Sequence, residues 1–137
     1  MKHIRSAGGV VVLGNSILLL KKLNGDWVLP KGKLQKEEAA ESAAVREVFE
    51  ETRIKSMIQH KIGETSYRFR NCWSEEQVIE KRVEWFLMSA QTSVPKANRG
   101  EGFSEAQFVT FEKARCLMRH EDELNTLCEA IKLLEKR

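Results

Sequence analysis

The chain has 137 residues, of which 42% are hydrophobic and 31% charged, and it carries a net charge of +3. That length suits one domain, residues 1–137, with a real core; the charge is too mild to argue for nucleic acid but fits an anionic small molecule. No apolar run approaches the ~20 residues that cross a membrane. Cys72, Cys116 and Cys128 form no CxxC pair, so neither a disulfide framework nor a zinc site is indicated and a reducing cytoplasm is expected.

Residues 4–13 read as a strand rather than a signal peptide, with Gly8-Gly9 marking a close backbone approach. Gly14-Asn15 offers a hairpin turn into a second strand over residues 16–22, whose run Ile17-Leu18-Leu19-Leu20 implies burial on both faces. After the turn Asn24-Gly25-Asp26, the segment WVLPKGK leads into a helix. Residues 57–70 read as one or two strands, 71–77 as a polar loop, and 78–90 as a strand rich in β-formers. Residues 92–101 hold Pro95, Asn98 and Gly100 and read as a mobile linker. A short strand (106–111), a short helix (112–118) and an amphipathic helix (120–137) follow. Leu124, Leu127, Cys128, Ile131 and Leu134 form the stripe of that last helix. An α/β protein with a mixed sheet between helices satisfies both amphipathic faces.

The stretch from Gly32 to Ile54, GKLQKEEAAESAAVREVFEETRI, organises the rest. On a helix, Glu47, Glu50 and Glu51 are three and four apart, which gathers three carboxylates on one face. Such a cluster repels itself unless a cation sits within it, and hard oxygen donors suit Mg²⁺ or Mn²⁺. Arg46 flanks the cluster and reaches Glu50 at i+4. Val45, Val48, Phe49 and Thr52 are expected to form the buried stripe, with the carboxylates facing outward and Ala43 leaving room for a ligand. The competing reading is a solvated acidic face.

The spacing of Gly32, Glu38, Arg46-Glu47, Glu50-Glu51 and Ile54 resembles the signature of the Nudix hydrolases, which cleave nucleoside diphosphates linked to another moiety. The resemblance implies an α/β/α sandwich and a Mg²⁺- or Mn²⁺-dependent pyrophosphohydrolase. A divalent ion neutralises the phosphoanhydride, polarises its oxygens and acidifies water. By resemblance, the ligands are Glu47, Glu50, Glu51 and the Gly32 carbonyl. Arg46 orients the carboxylates, and Glu38 orders the loop before the helix. Glu50 or Glu51 is a candidate base, and Glu101 and Glu105 are candidate bases or extra ligands, each with a surface charge as the plain alternative. Two features depart from the family pattern. Arg53 replaces a glycine, which predicts a left-handed residue at a cost of roughly 1 kcal/mol, and Lys36-Glu37 replaces a Pro-Gly pair.

Lys31, Lys33 and Lys81 are candidates for phosphate contacts, and Tyr67, Phe69 and Trp85 for stacking on a base; solvated lysines and core aromatics are the ordinary alternatives. The order SYRFR, a polar loop, then EKRVEWFLM is similar to the diadenosine tetraphosphate hydrolases, in which a Tyr and a Lys in equivalent segments contact substrate, here Tyr67 and Lys81. That resemblance implies asymmetric cleavage of diadenosine tetraphosphate to ATP and AMP. The WxLPKG segment is shared with diphosphoinositol polyphosphate hydrolases. Inositol pyrophosphates, nucleoside triphosphates and nucleotide sugars are therefore alternatives, as is a non-catalytic nucleotide-sensing module. A third class, an interaction domain built on the terminal helix, is less simple than packing of that helix on the sheet.

Overall fold

The computed structural model describes residues 1–71 and 77–136. In chain order the strands and helices are β1 (Lys2–Leu13), β2 (Ser16–Lys22), β3 (Trp27–Val28), β4 (Lys31–Lys33), α1 (Ala40–Thr52), β5 (Ser56–Asn71), β6 (Gln77–Ala90), β7 (Phe103–Thr110), α2 (Phe111–Leu117) and α3 (Glu121–Glu135). A 3₁₀ turn, Arg99–Glu101, precedes β7. The sheet runs β3-β2-β1-β6-β5, with β4 paired to β1 and β7 to β2. Strands β1 and β6 are parallel, while the remaining pairs are antiparallel, so the sheet is mixed.

The period-2 alternation of the strands divides the core in two. On one face Val10, Ile17, Leu19, Val83, Trp85 and Leu87 pack with Ala114 and Met118 near α2 and with Leu127 and Ala130 of α3. On the other, Val11, Leu18, Phe86 and Met88 pack under Ala40, Ala43, Ala44 and Val48 of α1. The run Ile17–Leu20 is fully buried because it feeds both layers. Each such side chain contributes about 1.5–3 kcal/mol of burial. This is the expected α/β/α arrangement, a mixed sheet between helices, with three helices.

Three expectations change. The first concerns the buried arc of α1, which holds Ala40, Ala43, Ala44, Glu47, Val48, Glu51 and Thr52. Ala43 therefore leaves no ligand space; it lies in the core. Phe49 is 36% exposed, and Arg53 sits over its ring. Second, residues 92–101 are pinned rather than loose: the Lys96 and Asn98 N–H groups donate to the Thr52 and Glu51 carbonyls at 2.8 and 3.0 Å. Third, the ends of the expected 71–77 loop belong to the sheet: Asn71 closes β5 and Gln77 opens β6, and the two pair. The rest of the expected loop, with Cys72, lies outside the described residues. Among the described residues no helix is long and apolar enough to cross a membrane.

Candidate active site

Strand β4 begins its pairing with β1 at Gly8, where an added Cβ would collide with the Pro30 carbonyl. That close approach lets the Gly9 N–H donate to Pro30 O at 3.1 Å and fixes the Pro30–Gly32 loop against the sheet. The loop then meets α1. A Cβ on Gly32 would overlap the Glu47 carboxylate, so glycine here lets that carboxylate lie directly against the loop. The Lys31 N–H donates to Glu51 Oε1 at 3.0 Å, and two residues earlier the Leu29 N–H donates to Glu123 Oε1 at 2.7 Å. Two buried carboxylates thus hold the backbone on either side of Pro30.

Arg46 orders the acidic helix. Its Nε and Nη2 donate to the two oxygens of Glu38 at 2.8 Å each, a fork-to-carboxylate pair. Its Nη1 donates to Glu47 Oε1 at 2.6 Å and to Glu50 Oε2 at 3.1 Å, and its Nη2 reaches Lys33 O at 3.0 Å. Glu38 also accepts from the Gln35 N–H, and these contacts hold its carboxyl down at about 2. The Lys36-Glu37 departure is absorbed just before it, where Glu37 adopts φ 63°.

Glu47 and Glu51 are 8% and 5% exposed. Carboxylate oxygens of Glu47, Glu51 and Glu101 lie within 4.8 Å of one another. Burial, and next the charge of Glu47, pushes Glu51 up to about 8. Burial also raises Glu47, outweighing Arg46. Glu101 arrives on the 3₁₀ turn, which Asn98 builds: its Oδ1 accepts from Gly100 N at 3.1 Å, while its Nδ2 donates to Glu50 O at 3.1 Å.

The structure separates the other expected residues. Glu50 turns toward Arg46, and its side chain is 41% exposed. Glu105 lies away from the cluster, paired with Lys21 at 3.4 Å. Trp85 is 1% exposed, and its Nε1–H donates to Thr65 Oγ1 at 2.9 Å, so it is a core residue at the cleft floor rather than a free stacking surface. Tyr67 and Phe69 share one face of β5, with ring centroids 5.9 Å apart, and are 47% and 43% exposed. Tyr67 is the register partner of Lys81. Burial, with Lys33 and Lys22 nearby, lowers Lys81.

A cleft of about 490 Å³ opens beside the carboxylates, with Lys31, Glu51, Tyr67, Trp85, Phe103 and Glu123 in its lining. Sequence reasoning missed Asn98, Phe103 and Glu123. The available signal for Glu123 was a carboxylate on the apolar stripe of α3, four residues before Leu127.

A hard-oxygen donor set with two buried members and a raised carboxyl fits a divalent cation, because ionising these groups together demands positive charge. The family model described as the NUDIX domain matches residues 2–129. The chain belongs to the Nudix family, whose hydrolases act on pyrophosphate bonds of nucleotide-type substrates and typically depend on a divalent metal. Solved structures share the fold. An Ap4A hydrolase from C. elegans superposes with a TM-score of 0.76 at 19% identity, over 98% of this chain and 99% of its own. A NUDIX hydrolase from Nitrosomonas europaea gives 0.73 at 15%, over 93% and 69%. The MutT protein of Methanosarcina mazei Go1 gives 0.69 at 22%, over 99% and 97%.

Proposed function

We propose that residues 1–137 act as one catalytic domain that hydrolyses a dinucleoside polyphosphate, diadenosine tetraphosphate in the first instance, to ATP and AMP. Mg²⁺ or Mn²⁺ would supply charge neutralisation and Lewis acidity at the phosphoanhydride. Glu47 and Glu51 would hold it, with Glu50 and the Gly32 carbonyl as further donors from the same helix and loop. Arg46 positions Glu47 and Glu50 through its contacts. Glu101 is the member of the trio without a hydrogen-bond donor among the described residues, whereas Arg46 occupies Glu47 and the Lys31 N–H occupies Glu51. It is therefore the group placed to take a proton from water.

The observation that carries the substrate reading is the strip beside the cleft: Tyr67 and Phe69 on one face of β5, with Lys81 directly across the ladder. Cross-strand partners share a face, so an exposed aromatic pair and a cation stand together, with Lys22 and Lys33 close enough to act on Lys81. A stacked base followed by a long polyphosphate needs those two features in that order. The C. elegans Ap4A hydrolase has the same fold, which is compatible with this reading.

The test compares kcat/KM for diadenosine tetraphosphate, a nucleoside triphosphate, a nucleotide sugar and an inositol pyrophosphate, with Tyr67→Ala and Lys81→Ala alongside. Each substitution is expected to cost roughly tenfold on the preferred substrate, the size of one lost stacking or charge-assisted contact. Diadenosine tetraphosphate falling outside the best substrates, or both variants matching the parent, overturns the assignment.

A further inference from the structure

A second cavity, of about 560 Å³, lies behind the turn that carries Glu101. Its lining includes Arg53, Lys96, Asn98, Arg99, Glu105 and Gln107, and it shares no lining residue with the cleft beside the carboxylates. We propose that this cavity is a binding site for a phosphate group, separate from the catalytic cleft.

The lining is cationic. Among the described residues, Arg53, Lys96 and Arg99 have no carboxylate within 4.0 Å, although the chain pairs many of its other cations. The acid in the same lining, Glu105, is already engaged by Lys21 at 3.4 Å and by Gln107 Nε2 at 2.8 Å. Three cations facing one concavity repel one another, and an anion relieves that repulsion.

The backbone that carries these residues is already ordered. Arg53 holds φ 63° at the C-cap of α1, the conformation usually left to glycine, and its guanidinium lies 5.3 Å from the Phe49 ring centroid. A guanidinium held over a ring can still offer its N–H groups to an oxyanion, and guanidinium edges match phosphate in a fork. Lys96 and Asn98 are tied to the end of α1 by backbone hydrogen bonds at 2.8 and 3.0 Å, so their segment is already ordered.

The three cations have no competing role at the end of α1. Cations near a helix C-terminus commonly answer its free carbonyls. Here those carbonyls are taken by other groups: Phe49 O by the Arg53 N–H, Glu50 O by Asn98 Nδ2, Glu51 O by the Asn98 N–H and Thr52 O by the Lys96 N–H. The three charged heads are not needed there. Two guanidiniums and an ammonium suit the charge of a phosphate dianion better than that of a carboxylate.

The test is calorimetric titration of the full chain with inorganic phosphate at low salt, in excess chelator, together with amide shifts by NMR. Saturable binding to the parent is expected, with shifts centred on residues 96–107. Lys96→Ala/Arg99→Ala should bind roughly tenfold or more weakly, on the usual size of charge-assisted contacts, with an unchanged melting temperature. Arg53→Gly, which removes the guanidinium and suits the backbone, should also weaken binding. Equal affinity in parent and variants, no saturation, or shifts confined to Lys31 and Glu51 overturns the proposal. Neither readout uses hydrolysis, so an inactive protein would count against the enzymatic reading and leave this one standing.

Discussion

Replacing Gly32 with alanine tests the packing on which the carboxylate cluster depends. The new Cβ would overlap the Glu47 carboxylate, and the two elements that meet there are both fixed. Strand β4 pairs with β1 at Ser6, Ala7 and Gly8, and α1 lies on the core through Ala43, Ala44 and Val48. The flexible part is the Glu47 side chain itself. Swinging it aside breaks the 2.6 Å contact with Arg46 Nη1, a charge-assisted bond worth about 1.5–3 kcal/mol, and offsets part of that loss by relieving the burial that raises the Glu47 carboxyl. Keeping it in place instead forces an overpacking cost of about 1–3 kcal/mol. The loss is therefore at most about 3 kcal/mol, or up to roughly 12 °C in melting temperature for a domain of this size, and the larger effect is expected on turnover. Displacing Glu47 by an ångström should also cut turnover about a hundredfold. The assays are thermal unfolding by circular dichroism and Mg²⁺-dependent hydrolysis. Gly63→Ala is the control, because a Cβ there meets nothing within 4 Å. If Gly32→Ala matches that control in both assays, Glu47 does not pack against position 32 and the reasoning fails.

Glu51→Gln should abolish turnover by orders of magnitude and change the pH profile of stability. In chelator, Glu51 is raised from 4.5 to about 8, so its contribution is full below 4.5 and is lost as pH rises through about 8. The parent should therefore lose up to a few kcal/mol across that window, at about 1.4 kcal/mol per pH unit, and Glu51→Gln should flatten the fall. A parent whose unfolding free energy stays level across that window would contradict it. Asn98→Ala frees the Glu50 carbonyl and the Arg99–Glu101 turn; it should cost about 1 kcal/mol in urea unfolding and lower kcat more than it changes KM.

The helix and its strands were legible because their signals are local. Ile17–Leu20 is apolar without alternation, and it is buried on both faces. The departure at Arg53 was readable as a left-handed cap, and the structure gives φ 63°. The arrangement around α1 was less legible, and helix geometry explains why. At about 100° per residue, Glu51 lies about 40° to one side of Glu47 and Glu50 about 60° to the other. The three acids are neighbours on a wheel, but Arg46 is on the Glu50 side and draws it outward. The buried arc is centred on the Glu51 side, among alanines, because a helix this close to a sheet needs small residues. Phe49 is too far round to reach the core. Glu101 depends on a tertiary approach fifty residues after Glu51. Its capacity to join the cluster comes from Asn98, whose hydrogen bonds no periodicity reveals. Glu105 looked equivalent only in sequence; the chain turns into β7 between the two, and its side chain meets Lys21 instead.

Placing two carboxylates inside the buried arc of a helix is costly, and the compensations seen within the chain are partial. Arg46 holds Glu47, and the Lys31 N–H holds Glu51, yet burial still raises both carboxyls. The remaining cost falls on the metal-free fold at neutral and alkaline pH. A cation that binds only the folded chain returns RT ln(1 + [L]/Kd), about 2.7 kcal/mol at a hundred times Kd. That is comparable to the few kcal/mol lost by ionising Glu51 in its buried position. The site is thus built so that cation binding and carboxylate ionisation support each other. A glutamine at position 51 would relieve the metal-free fold and, by the same linkage, surrender the stabilisation that a cation confers.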